Sequence, residues 1–139
     1  MYYSKLLLFG EYTVVKGSRA LAVPYRPYAA KWSFEDSVHQ LESNQSLTAF
    51  WQHLAESSDL LCQLDTQRFS EDLVQGIWLD SDIPKGYGLG SSGSVCAAVY
   101  DRYGLNKLKG DNADELMQLK AIFAQLESYF HGASSGTDP

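Results

Sequence analysis

The residues best suited to chemistry stand together in Pro84-Lys85-Gly86-Tyr87-Gly88-Leu89-Gly90-Ser91-Ser92. Three glycines alternate with other residues, and two adjacent hydroxyls follow. The upstream run Ile77–Ile83 reads as a strand and the downstream run Val95–Val99 as a helix. A strand, a glycine turn and a helix start together make an anion site. Glycine lets the backbone approach a ligand closely, while the helix start offers unpaired N–H groups and the positive end of its dipole. Ser91 or Ser92 can add a hydroxyl oxygen for a magnesium ion carried by a nucleotide. Neither common nucleotide fingerprint applies, because the glycines fall at 86, 88 and 90 and no Gly-Lys-Ser/Thr follows them.

Composition bounds the rest. The chain has 139 residues, 45% of them hydrophobic, and a net charge of −6. That predicts one globular domain with a real core. The acidic balance and the absence of a basic run argue against nucleic acid, RNA included, as a partner. Cys62 and Cys96 make neither a metal spacing nor a disulfide framework, and they read as buried thiols in apolar helical contexts, which suits a cytoplasmic protein. Leu6-Leu7-Leu8-Phe9 is too short for a signal-peptide core, and no run is long enough to span a membrane.

The positioning elements follow from periodicity. Tyr2–Phe9 reads as a strand ending at Gly10, and Ala20–Val23 as a second apolar run. Residues 28–35 and 38–42 alternate as strands around a turn at 35–37. Residues 46–64 carry helical spacing with Ser46 as N-cap, and a strand is expected near 74–83. Asn112 is expected to cap a last helix over 113–130. This order predicts an α+β layer with helices packed mainly on one face of a mixed sheet.

Three separated motifs now bear on function. Pro-x-Gly-x-Gly-Leu-Gly-Ser-Ser at 84–92 resembles the phosphate-binding motif of the GHMP kinases. The run from Ser4 to Gly17, with Lys5, Gly10-Glu11-Tyr12 and Val14-Val15, is similar to the first motif of the mevalonate-type members. The tail from Glu127 through His131-Gly132 and Ser135-Gly136 to Asp138 resembles the same family's Glu-x-x-x-His-Gly-x-x-Ser-Gly-x-Asp. The resemblance spans residues 1–139 as one N-terminal ATP-binding domain of the ribosomal-protein-domain-2-like type. It implies a longer two-domain kinase, with the C-terminal half as the missing partner.

The resemblance also implies roles. Gly86, Gly88, Leu89, Gly90, Ser91 and Ser92 would cradle ATP phosphates, and Ser92 and Glu127 would ligate Mg2+. Asp138 would act on the acceptor's hydroxyl with Lys5 beside it, and Glu11 and Tyr12 would lie near a small-molecule acceptor. In the family pattern His131 shapes its loop. Tyr12 stands where mevalonate kinases commonly have histidine, and Tyr3-Ser4 precedes Lys5 where the family usually has Pro-Gly. The short span between the first motif and the glycine loop suits a compact bacterial-type member. Phosphorylation of mevalonate or phosphomevalonate is the leading expectation. A sugar kinase, a diphosphomevalonate decarboxylase or a non-catalytic nucleotide-binding module are the alternatives. A homodimer stays open.

Overall fold

A computed structural model of the chain describes residues 1–9 and 21–132. Three strands form one sheet in the order β1-β2-β4: β1 is Tyr2–Phe9, β2 is Leu21–Ser33 and β4 is Trp78–Ser81. Every pairing among the described strands is antiparallel, where a mixed sheet is expected from the sequence. The long β2 serves both neighbours. Its first part pairs with β1, and Ala30 to Ser33 pair with Ser81 to Trp78. The β1–β2 register jumps between Tyr3 and Ser4, whose partners are Ala29 and Tyr25. Pro27 lies in the skipped stretch, and a proline without an N–H is tolerated in a sheet at such irregularities.

Among the described residues four helices accompany the sheet: α1 (Gln40–Glu56), α2 (Thr66–Val74), α3 (Ser91–Tyr103) and α4 (Ala113–His131). A two-stranded ladder joins β3 (Gln63–Leu64) to β5 (Gly104–Leu105). Helix α3 lies against β1 and β2 and buries Gly93, Ser94, Cys96, Ala98 and Val99. Small side chains on that face let the helix approach the strands closely. The core gathers around Phe50, Phe69, Ile77, Val99 and Tyr103. Tyr103 stacks on Phe69 with ring centres 4.2 Å apart, and its hydroxyl donates to Asp72 Oδ2 at 2.9 Å. Arg102 reaches the same carboxylate oxygen at 2.8 Å, which ties α2 to α3. Burial, and then the Asp72 carboxylate, push the Tyr103 phenol well above its ordinary range.

Polar residues on α1 have a specific task. One edge of β4 pairs with β2, and the opposite edge is met by α1 side chains rather than a fourth strand. Gln40 donates to the Gly76 carbonyl at 2.9 Å, and Asn44 donates to the Leu73 and Ile77 carbonyls. Ser43 Oγ both donates to the Leu79 carbonyl and accepts from its N–H, each at 3.1 Å. The Leu79 groups, which a neighbouring strand would have satisfied, are thus paired by a helix side chain, and the Leu73, Gly76 and Ile77 carbonyls ahead of β4 are met by the same helix.

Several expected boundaries move. The strand expected over 38–42 does not form, because α1 begins at Gln40 and places Leu47, Phe50 and Leu54 inward. Ser46 is therefore an exposed mid-helix residue and not a cap, and the helix ends at Glu56 instead of 64. The alternation over 38–42 is short enough to fit either period, and packing against β4 decides it. Of residues 28–35, those up to Ser33 belong to a strand that starts at Leu21, and Phe34 and Glu35 fall outside it. Helix α2 has no counterpart in the sequence reading, although Asp65 caps it by accepting from the Arg68 N–H at 2.9 Å. The strand expected near 74–83 shortens to Trp78–Ser81, since α2 runs to Val74 and Gly76 turns the chain at φ 86°. Asn112 caps α4 as expected, accepting from the Glu115 N–H at 2.9 Å. Both cysteines are free thiols. Cys96 is buried in α3, whereas Cys62 is half-buried in the bend before β3, and burial raises its thiol pKa.

Candidate functional site

The loop from Pro84 to Gly90 carries the chain from β4 to α3. Gly86, Gly88 and Gly90 all take positive φ, at 82°, 68° and 77°. Three alternating left-handed residues are feasible only because none carries a Cβ. Gly90 is the N-cap of α3, and it makes no side-chain capping bond. The first intrahelical bond runs from the Ser94 N–H to the Gly90 carbonyl at 2.9 Å. The N–H groups of Ser91, Ser92 and Gly93 therefore face outward from the first turn, as an anion site requires.

Lys5 belongs to this loop in space although 85 residues separate it from Gly90 in sequence. Its backbone N–H donates to the Leu89 carbonyl at 3.1 Å, so the loop is hung on the β1 strand. Its side chain lies across Gly90, where an added Cβ would sit 2.9 Å from Lys5 Cγ. Gly90→Ala therefore combines a left-handed strain with a displaced lysine. We expect it to cost about 1–2 kcal/mol in stability. Nucleotide affinity should fall further than the same loss imposed at Gly86, where a Cβ meets nothing within 4 Å. Denaturant melts and nucleotide titrations on the two variants test this, and equal affinity losses would contradict it.

The other half of the site comes from the end of α4. Glu127 is 2% exposed, and Ser92 Oγ donates to its Oε1 at 3.2 Å. His131, one turn further along the same helix face, puts Nε2 at 2.8 Å from the same hydroxyl. Gly132 ends the helix at φ 71°, with its N–H on the Ser128 carbonyl at 2.7 Å. A cleft of about 610 Å³ opens beside this cluster. Ser43 and Leu47 of α1, Trp78 to Ser81 of β4, Gly86, Ser91, Ser92 and His131 line it. Its size lies within the ordinary range for small-ligand sites, and its lining combines apolar Leu47, Leu79, Ile83 and Val95 with polar side chains from α1, β4 and α3. Exposed Glu42 and Lys85 face each other at 3.5 Å on its rim.

The fold thus gathers most of the residues singled out by the sequence. Gly86, Ser91 and Ser92 face the cleft, Ser92 meets Glu127, and Lys5 meets Leu89 and Gly90. Leu89 acts through its carbonyl on β1, and its side chain packs against the core. Glu11, Tyr12 and Asp138 lie outside the described residues. Among the described residues no group of three or more His, Cys, Asp or Glu could hold a metal ion, so a cation here would rest on Ser92 and Glu127 with oxygens from elsewhere. Sequence reasoning missed the cleft walls from α1 and β4, and it gave His131 no contact with Ser92. The four-residue spacing of Glu127 and His131 was the available signal, since it places both on one helix face.

The profile described as GHMP kinases N terminal domain matches residues 49–139, about two thirds of the chain. The chain belongs to the GHMP kinase family. No curated protein and no solved structure matches it. The matched segment runs from within α1 through the glycine loop to α4 and beyond, so it contains the loop, Ser92, Glu127 and His131, while Lys5, Ser43 and Leu47 lie outside it. In this GHMP kinase domain the α+β architecture, four helices against antiparallel strands, is the scaffold that brings them together. Among the described residues no helix is long and apolar enough to cross a membrane.

Proposed function

We propose that this GHMP kinase domain binds ATP with Mg2+ in the cleft beside α3 and serves phosphoryl transfer to a hydroxyl or phosphate of a small molecule. One observation carries the reading: Ser92 Oγ and Glu127 Oε1 stand 3.2 Å apart at the start of a helix that a glycine loop introduces. An octahedral magnesium ion holds neighbouring oxygens about 2.9 Å apart and takes its remaining ligands from water and phosphate. A hydroxyl and a buried carboxylate at that separation fit it. When bound, the metal offsets charge on the phosphates.

The chain's own residues do the rest. Backbone N–H groups of Ser91, Ser92 and Gly93 meet phosphate oxygens at the positive end of α3, and the glycines leave room for that approach. The apolar part of the cleft, at Leu47, Leu79 and Val95, suits the flat face of a base and excludes water around it. Lys5, lying over Gly90, brings an ammonium to the loop, where it opposes charge that develops on a transferred group. Asp138 is proposed as the residue that orients the acceptor's hydroxyl, with Glu11 and Tyr12 contacting the acceptor itself. The motif over residues 4–17 favours an acceptor of the mevalonate branch, mevalonate or phosphomevalonate, and a cytoplasmic setting accompanies that branch.

Calorimetric titration with ATP, with and without magnesium, tests the nucleotide site. Magnesium should tighten binding, and Ser92→Ala should weaken the metal-supported binding about tenfold or more. A folded protein that ignores ATP in both conditions would exclude the proposal. Acceptor screening by coupled ADP release then decides the branch.

A further inference from the structure

We infer that His131 is a positioning residue for the metal site: its Nε2 accepts a hydrogen bond from the Ser92 hydroxyl when the serine turns its oxygen to a cation. The inference rests on the nucleotide-site reading above and adds a role to a residue that the reading does not use. It starts from a count of protons. Among the described residues Ser92 Oγ has two hydrogen-bonding side-chain neighbours, Glu127 Oε1 at 3.2 Å and His131 Nε2 at 2.8 Å, and a hydroxyl has one proton to give. With the proton directed at Glu127, both oxygens of the pair are engaged with each other. The Nε2–H tautomer of His131 then donates to Oγ.

A cation held between the two oxygens excludes a proton from that line. Ser92 must then direct its O–H elsewhere, and the 2.8 Å contact makes His131 Nε2 the nearest partner. The ring serves if its proton sits on Nδ1, leaving the Nε2 lone pair to accept. The exchange is a tautomer shift: the Nε2–H bond breaks and an Nδ1–H bond forms, the proton passing through solvent at the exposed ring, so no net charge moves. One hydrogen bond is exchanged for another, so the serine keeps a satisfied proton while its lone pairs turn to the metal. A side chain that cannot accept at this position leaves the proton facing the carboxylate, in competition with the cation. The same helix carries both partners one turn apart, so α4 sets the carboxylate and the acceptor as a unit.

The side chain best able to imitate the Nε2 position is glutamine, whose Oε1 can accept there. Leucine fills similar space and accepts nothing. Because His131 is on the protein surface, neither change should prevent folding, and a melting curve on each variant checks this. Binding of Mn2+ to the full chain in the presence of a non-hydrolysable ATP analogue, followed by electron paramagnetic resonance, reads metal affinity without turnover. Analogue binding in a chelator reads the nucleotide alone. We expect His131→Leu to lower Mn2+ affinity about tenfold, His131→Gln to restore most of it, and both to leave the metal-free measurement unchanged. Wild-type affinity in His131→Leu, with Ser92→Ala still impaired, would overturn the positioning role and leave the nucleotide site standing. Equal losses in the leucine and glutamine variants would also overturn it, as would a loss confined to the metal-free measurement. Failure of the wild-type chain to bind Mn2+ with the analogue would overturn both readings.

Discussion

Glu127→Gln will reduce metal-dependent phosphoryl transfer by about two to three orders of magnitude while leaving the domain folded. The glutamate is 2% exposed, and its Oε1 accepts from Ser92. Glutamine keeps the shape and an acceptor oxygen, so the Ser92 contact survives. What disappears is the negative charge, the property a divalent cation needs most from this pair. A carboxylate this buried also carries a desolvation cost, which the neutral amide does not. Loss of function and loss of stability should therefore part company. Mg2+ dependence of nucleotide binding and of ADP release should weaken together, and the melting temperature should shift little. A variant that keeps wild-type magnesium dependence would remove Glu127 from the metal site. One that simply melts would show instead that the charge holds α4 to α3.

Phe50→Ala tests the packing of α1 on the end of α4 and should be the costliest core change. Phe50 is fully buried, with ring centres 5.0 Å from Tyr129 and 5.1 Å from Phe130. It therefore joins α1 to the last turns of α4, beside Glu127 and His131. Deleting the ring removes its transfer energy and leaves a cavity that two neighbouring rings can fill only in part, a cost of about 3–5 kcal/mol. For a domain of this size that corresponds to a melting point lower by about 10–20 °C. The same change loosens the helix end that presents the carboxylate. Nucleotide affinity measured well below the melting transition should therefore fall as well. Phe50→Leu, which retains most of the volume, should cost about 1 kcal/mol and spare affinity. Equal stability of the two variants would mean that the aromatic cluster does not hold the helices together.

The two variants probe different links between sequence and site, and they differ in how readable those links are from sequence. The alternating glycines and the serine pair name an anion site before any fold is known, because a left-handed turn entering a helix demands those residue types. In the structure Gly86, Gly88 and Gly90 all take positive φ, as such a turn requires. The cap at Asn112 is equally local, since a side chain three residues from its N–H partner needs no tertiary help. Helix α2 shows where local reading stops. Asp65 has the chemistry of a cap, but Phe69 and Leu73 are too few apolar positions to announce nine residues of helix. Contacts with α1 and the stack on Tyr103 stabilise it.

What the sequence determined alone is the set of chemical groups: the turn that needs glycine, the helix start, the hydroxyls, the carboxylate and the lysine. What only the tertiary structure decided is which of them meet. Lys5 reaches Gly90 across 85 residues because β1 lies beside the loop and donates to Leu89. Ser92, Glu127 and His131 converge because α3 and α4 pack with those turns together. Gln40, Ser43 and Asn44, which lie before the helix start expected from sequence, are part of α1, pair backbone groups at and before β4, and bring Ser43 into a wall of the cleft. Local sequence sets dihedral preference over a few residues. The burial of apolar faces sets which distant segments touch, and that sum is made over the whole chain.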